Sequence, residues 1–156
     1  MTFLGEFSNI RVTEEHAYGS AVHLWREAET LIGLFEWADG PAADLPLGLL
    51  EQVSYDPKTG RLSFRARLTT GLHSCREHSE VPARDVFEFR GTLGTARLTG
   101  ILVRRDALHP EAASKSESVA LRRASPSASS YVDARSRAEW DRQVKGILSA
   151  RGPKWQ

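Results

Sequence analysis

The chain has 156 residues, which is enough for one domain with its own hydrophobic core. Hydrophobic residues make up 40% of it and charged residues 26%, both ordinary values for a soluble globular protein. The net charge of +1 excludes an overall basic field of the kind that draws a protein to nucleic acid, so we expect no nucleic-acid partner.

The cysteine content and the N-terminal residues bear on where the protein works. Cys75 is the sole cysteine, which excludes an intrachain disulfide and is typical of a reducing compartment. The first residues show no basic segment followed by a long apolar run, so they do not form a signal peptide, although one removed earlier would leave no trace. No stretch approaches the roughly 20 apolar residues that span a bilayer. We therefore expect a soluble, cytoplasmic protein that does not bind membranes.

Short strands are predicted over most of the chain. Period-two alternation is clearest where Leu62, Phe64, Ala66 and Leu68 alternate with polar residues, which indicates one buried and one wet face. In chain order, the predicted strands cover residues 3–12, 20–27, 30–38, 49–55, 62–69, 85–93, 96–105 and 117–123.

The connections between these strands alternate between long polar loops and tight turns. The tight turns lie at Ala28-Glu29, at residues 56–60 and at Gly94-Thr95, whereas Asp39-Gly40-Pro41 is predicted to break the pairing and begin a long loop. In an antiparallel meander every second connection lies at the same end, so the long loops would gather at a mouth and the tight turns at a floor. The sequence therefore predicts an antiparallel up-and-down β-barrel of about eight strands.

The periodicity changes near the C-terminus. Residues 131–150 are predicted to form a helix, with Ser129 or Ser130 as N-cap and Gly152-Pro153 as stop signal. Its apolar side chains share one face and are Trp140, Val144, Ile147 and Leu148. The helix is expected to pack on the outside of the barrel, and the alternative is that it docks on a partner chain. Residues 1–124 would then form the barrel, and 125–156 a linker and helix of the same domain.

One short motif resembles a known group of barrels. Gly5-Glu6-Phe7-Ser8-Asn9 lies where the calycins, the group of lipocalins and avidins, carry a Gly-x-Trp near the start of the first strand. The third residue here is Phe7 rather than Trp. In lipocalins a late-strand arginine commonly packs over this aromatic residue, a part that Arg122 or Arg123 would play here. The resemblance implies a barrel that holds a ligand more often than an enzyme, although a fold alone does not give a function.

Aromatic and histidine side chains are the candidates for ligand contact. Tyr18 and Trp37 lie at the predicted mouth, and His73 and His109 lie in long loops at the same end. We therefore predict that these four residues contact a ligand. The barrel aromatics would either line a pocket or plug it, and an eight-stranded barrel has little spare interior.

Two further patterns stay undecided by sequence. His23 and Trp25 share one face of the second strand, opposite Val22 and Leu24, and periodicity does not say which pair points inward. Arginines are also frequent on the later strands, where they would form either an ordinary solvated face or a basic stripe for phosphate or an acidic partner. These are Arg61, Arg65, Arg67, Arg90, Arg97, Arg104, Arg105, Arg122 and Arg123.

Metal-ligating side chains occur close together as His73-x-Cys75-x-x-His78. Imidazole and thiolate suit zinc or another late transition metal, and three such ligands with a vacant position make a catalytic site. A Cys75 thiolate activated by a neighbouring histidine is an alternative. Against both, histidine is common in exposed loops, and this spacing matches no standard zinc pattern. Apart from such a metal, no cofactor is expected.

Three functions follow, in order of preference. The first is non-catalytic binding of a small, partly apolar ligand at the long-loop end. The second is a protein-interaction or self-assembly module that uses the barrel surface or the helix. The third is a small metal- or thiol-dependent enzyme at the His/Cys loop.

Overall fold

The computed structural model describes residues 1–41, 45–72, 82–125 and 132–150. They form nine strands and one helix. The elements are β1 (Thr2–Ser8), β2 (Arg11–Val12), β3 (His16–Glu27), β4 (Thr30–Pro41), β5 (Leu47–Tyr55), β6 (Arg61–Thr70), β7 (Val86–Leu93), β8 (Arg97–Arg105), β9 (Lys115–Arg123) and α1 (Arg137–Ala150).

The strands close into an antiparallel barrel. Each strand from β3 to β8 pairs with the strand that follows it in the chain, and β1 pairs with both β3 and β9. β1 and β2 both pair with β3, so they act as two parts of one strand, and the barrel has eight strands. The predicted fold class, an eight-stranded antiparallel barrel with a C-terminal helix, is confirmed.

The order of the connections gives the barrel two different ends. The strand ends that border residues 13–15, 42–46, 71–85 and 106–114 lie at one end of the barrel, which we call the mouth. The turns at residues 28–29, 56–60 and 94–96 share the other end, which we call the floor. The two ends alternate along the chain as predicted, but the mouth connections are not all long, since only residues 13–15 join β2 to β3 and residues 42–46 are as few as those of the floor turn at 56–60.

The hairpin of β3 and β4 extends further toward the mouth than predicted. The prediction that Asp39-Gly40-Pro41 breaks the pairing was wrong, because Asp39 pairs with Tyr18 and Gly40 with Ala17. The two glycines of this extension, Gly19 and Gly40, have φ angles of 121° and 152°, which side-chain-bearing residues rarely adopt. Turn-forming residues thus serve here as the end of a strand.

Aromatic rings fill the middle of the barrel. Phe35 lies 4.7 Å from Phe87, and Phe64 stacks on Phe89 at 5.0 Å between ring centroids. Gly91 and Gly100 oppose each other across β7 and β8, and a methyl group at position 91 would come within 2.6 Å of the Phe89 ring. The glycine makes room for the ring, and the interior at this level is packed rather than hollow.

The helix covers the outer side of β3, β4 and β5. Trp140 and Val144 are 4% and 2% exposed, and Trp140 packs edge-on against Trp25 at 5.9 Å. His23 and Trp25 therefore face outward, whereas Val22 and Leu24 belong to the barrel interior. The helix packs through these side chains on the outside of its own barrel.

The helix begins at Arg137, later than the predicted residue 131. Val132 and Ala134 precede it and are buried against the same outer cluster, so this segment continues the packing before the helix starts. Ser136 accepts a hydrogen bond from the Glu139 amide and acts as the N-cap. Ser129 and Ser130 lie outside the described residues. In the described residues, no helix is long and apolar enough to cross a membrane.

Candidate ligand-binding site at the barrel mouth

Polar side chains replace the aromatic ones where the barrel interior meets the mouth. Asp39 lies two residues after Trp37 on β4, and Thr70 is the last residue of β6. Asp85 directly precedes β7, and Arg104 is the last residue but one of β8. Each lies two residues beyond an interior side chain of its strand, so strand alternation turns it inward. We call Trp37, Asp39, Thr70, Asp85 and Arg104 the mouth layer.

Arg104 organises this layer. Its Nε donates a hydrogen bond to Asp85 Oδ2 at 2.6 Å, and one terminal nitrogen donates to Asp39 Oδ2 at 3.2 Å. Its guanidinium carbon lies 5.0 Å from the centre of the Trp37 ring, a cation–π distance. The Asp85 side chain is only 4% exposed and that of Arg104 19%, whereas Asp39 lies nearer solvent. The result is a fixed, charged wall that is largely shielded from water.

Beneath the polar atoms lies a flat apolar surface. The Trp37 ring packs on Phe87 at 4.8 Å, and Phe87 packs in turn on Phe35. Trp37 thus joins the aromatic interior to the mouth layer. A ligand at this level would meet aromatic carbon below and charged or polar atoms at the side.

Three buried polar atoms of the mouth layer have no hydrogen-bond partner. They are Trp37 Nε1, Thr70 Oγ1 and Asp85 Oδ1, in the part of the chain that the structure describes. Leaving a buried polar group unpaired costs about 1–3 kcal/mol, so such groups in native proteins call for an explanation. The indole N–H and the hydroxyl can donate, and the carboxylate can accept. The mouth layer thus offers a ligand both hydrogen-bond donors and an acceptor.

Two of the predicted ligand contacts lie at the rim of the mouth. Tyr18 is 49% exposed, pairs with Asp39 across the β3–β4 hairpin, and stacks near His16 at 6.0 Å between rings. His109 lies in the loop that follows β8, where its Nδ1 is 3.0 Å from Asp106 Oδ2. Trp37 belongs to the mouth layer itself. The fourth predicted contact, His73, lies outside the described residues.

The exposed pair of His109 and Asp106 gives a pH-dependent signature of the mouth loop. The hydrogen bond and charge of Asp106 raise the pKa of His109 above 6.5. Burial opposes the shift at Asp106, but hydrogen bonds from the His109 ring and from two backbone amides hold the pKa of that carboxyl below 3.8. Through His109, the pair stabilises the folded protein fully below pH 6.5, and this stabilisation is lost as pH rises through the raised pKa of the ring. At Asp106 it is present above pH 3.8 and lost as pH falls through the lowered pKa.

NMR titration of the His109 ring is therefore expected to give a midpoint above 6.5, and Asp106→Asn should bring that midpoint down toward 6.5. An Asp106→Asn variant with an unchanged midpoint would show that the pair does not form in solution.

The proposed metal ligands are not placed by the structure. His73, Cys75 and His78 all lie outside the described residues. Among the residues that are described, no three histidine, cysteine, aspartate or glutamate side chains gather in a way that would hold a metal ion.

The sequence pattern did not identify Asp85 and Thr70 as site residues, and it indicated Arg104 only as one of the arginines of the later strands. The structure turns Arg104 inward, because it pairs with Phe87 across β7 and β8 and shares its direction. The signal was available in β8, where Leu98, Leu102 and Arg104 lie on one face. A charge at the end of an apolar face marks the boundary between the barrel interior and the mouth.

A concave region lies at the floor. It is a cleft of about 400 Å³ near the β3–β4 turn and the N-terminus, lined by residues that include Met1, Arg26, Tyr55 and Pro57. Ala28, also in its wall, has a φ angle of 52°. Among the described residues, no buried polar atom without a hydrogen-bond partner belongs to the lining of this cleft, so the mouth is the stronger candidate. Comparison of the chain with protein-family models, curated proteins and solved structures found no match.

Proposed function

We propose that the protein binds a small, partly apolar ligand at the barrel mouth without chemically transforming it. The observation that carries the proposal is the set of three buried, unpaired polar atoms on Trp37, Thr70 and Asp85, in one layer above an aromatic surface. A bound ligand that pairs with these atoms would recover the free energy that their burial costs.

The chemistry of the layer limits the ligand that we propose. Its apolar part would rest on the Trp37 and Phe87 rings, and its polar edge would face the Asp85 carboxylate and the Thr70 hydroxyl. Small-molecule sites commonly combine such an apolar wall with a few converging polar groups. The Phe64 and Phe89 rings fill the interior below Phe35, so the proposed ligand would be small enough to rest above them.

A calycin-like origin is part of the same proposal. Arg123 pairs with Phe7 across the β9–β1 closure, and its Nε lies within 2.7 Å of where a methyl group at position 5 would be. The Arg123 side chain thus passes over Gly5, close in register to Phe7. This supports the role that the resemblance implies, an arginine packed over the aromatic residue of the first strand. The described residues agree with that resemblance in barrel topology as well.

The test is a fragment screen by thermal shift, followed by titration of each hit against matched variants. Trp37→Phe keeps a flat ring but removes the indole N–H, so it is expected to weaken binding about two- to tenfold, the effect of one hydrogen bond. Tyr55→Phe, at the floor cleft, is the control and should leave the affinity unchanged. Native mass spectrometry of freshly purified protein would show whether a ligand is retained.

Two results would contradict the proposal. One is a set of hits that bind Trp37→Phe as tightly as the unaltered protein. The other is a loss of affinity in Tyr55→Phe alone, which would place the ligand in the floor cleft instead. Bound metal in the native mass spectrum would point to the His/Cys loop and to the metal hypothesis.

A further inference from the structure

Arginine is concentrated on the outer surface of β6, β7, β8 and β9. On these strands the interior positions are apolar, so the residues between them point away from the barrel. The outward positions carry seven arginines and one glutamate, Glu88. We call this surface the arginine face; its arginines are Arg61, Arg65, Arg67, Arg90, Arg97, Arg105 and Arg122.

The charge of the protein is therefore strongly polarised. The arginine face has a surplus of six positive charges, whereas the whole chain has a net charge of only +1. In the described residues Arg105 makes the face's one ion pair, with Glu88 at 3.7 Å between partly exposed side chains. The remainder of the chain must be net acidic. Such an uneven distribution steers oppositely charged partners toward one side.

An apolar strip lies in the middle of this face. Ile101 is 44% exposed, and Val103 and Val86 lie near it on the same outer surface. The strand register places Arg90 directly beside Ile101, and Arg67 and Arg105 on either side of Val86. Glu88, the partner of Arg105, lies beside Val103. Neighbouring strands are about 4.8 Å apart, so these arginines lie within side-chain reach of the strip. An apolar centre bordered by arginine is the usual anatomy of a protein interface.

The helix covers the other side of the barrel, over β3, β4 and β5, and no described segment covers the arginine face. All seven cations are arginine, which binds carboxylates through two parallel hydrogen bonds where lysine offers a point charge. The outward positions of β6 to β9 include no aromatic side chain on which a nucleic-acid base could stack. Three apolar side chains are also a small area for insertion into a membrane.

We infer that the arginine face docks an acidic protein segment that carries an apolar residue between its carboxylates. The carboxylates pair with Arg67, Arg90 and Arg105, and the apolar residue covers Ile101 and Val103. This surface lies on the outside of the barrel, so the inference does not depend on the ligand proposed at the mouth.

The probe is a short fluorescein-labelled peptide in which glutamates flank two central leucines, titrated with the full chain by fluorescence anisotropy. Binding is expected to weaken as ionic strength rises, because the charges are exposed. Arg67→Glu and Arg90→Glu should each weaken it about tenfold or more, since each puts like charge against the peptide. Ile101→Ser should weaken it at every salt concentration. Lys145→Glu on the helix makes the same change of charge elsewhere and should have no such effect.

Several results would overturn the inference. A peptide that does not bind the chain would overturn it directly. Equal affinity for a peptide with serine in place of leucine, or an equal loss in Lys145→Glu, would reduce the interaction to unspecific charge attraction. Binding to duplex DNA or to vesicles of anionic phospholipid more tightly than to the peptide would assign the face to another class of partner. Thermal unfolding of each variant, at a midpoint close to that of the unaltered chain, verifies that the fold is retained.

Discussion

Arg104→Met is expected to lower the free energy of unfolding by about 3–5 kcal/mol, the range seen when one partner of a buried ion pair is removed. The reason is that Asp85, 4% exposed, would lose the guanidinium that donates to it at 2.6 Å and would be left as an unpaired buried carboxyl group. Methionine is chosen because its unbranched apolar chain replaces most of the stem of arginine and limits the cavity. The measurement is urea denaturation followed by tryptophan fluorescence.

The control is the double variant Asp85→Leu with Arg104→Met. This variant removes both charged side chains. A protein often loses little stability when both members of a buried ion pair are replaced by apolar residues. Most of the loss in Arg104→Met should therefore be recovered. If the double variant is no more stable than the single one, the destabilisation does not come from an unpaired Asp85 carboxyl group. If Arg104→Met itself unfolds like the unaltered protein, the mouth layer is not a shielded site.

Trp140→Ala is expected to cost about 3–5 kcal/mol, as large-to-small substitutions of buried tryptophan usually do. Trp140 is the largest side chain that the helix contributes to the outer cluster, where it meets Trp25 and lies beside Val132. Its removal leaves a cavity that the barrel surface cannot fill. Because the barrel interior is a separate cluster, the strands should keep their own packing when the helix is loosened.

Circular dichroism and hydrogen exchange measure this effect, since the loss should appear first in the amides of the helix. The control is Arg142→Ala. Arg142 is exposed on the same helix, so its replacement should change the free energy of unfolding by less than about 0.5 kcal/mol. Unchanged stability in Trp140→Ala would contradict the packing of the helix on the barrel. A change of solution mass in Trp140→Ala, without a loss of stability, would favour the hypothesis that the helix docks on a partner chain.

Most of the fold was predictable because it depends on short-range patterns. Period-two alternation identified the strands, and the alternation of long and tight connections identified the two ends of the barrel. The end of β4 was missed because turn-type residues such as Asp39 and Gly40 were judged by local preference. What holds them in a strand is the pairing with Tyr18 and Ala17, which is a property of the partner strand rather than of their own sequence.

The candidate site was only partly predictable. Trp37 was identified from its position at the mouth, because aromatic residues beside a long loop are a visible signal. Asp85 and Arg104 are far apart in the chain, and only the strand order places them within hydrogen-bond distance. The start of the helix was misplaced for a similar reason, because Val132 and Ala134 are buried by tertiary contact in a segment that precedes the helix.

The closure of the barrel has a consequence for how the protein folds. β1 meets β9 through two register pairs, Phe7 with Arg123 and Ser8 with Arg122, which join residues more than a hundred positions apart. Every other pairing within the barrel links strands that are neighbours in sequence. During synthesis the hairpins can therefore form one after another as the chain emerges, whereas the seam must wait for the last strand. Because contacts between distant residues form slowly, closure of this seam is the natural rate-limiting step of folding.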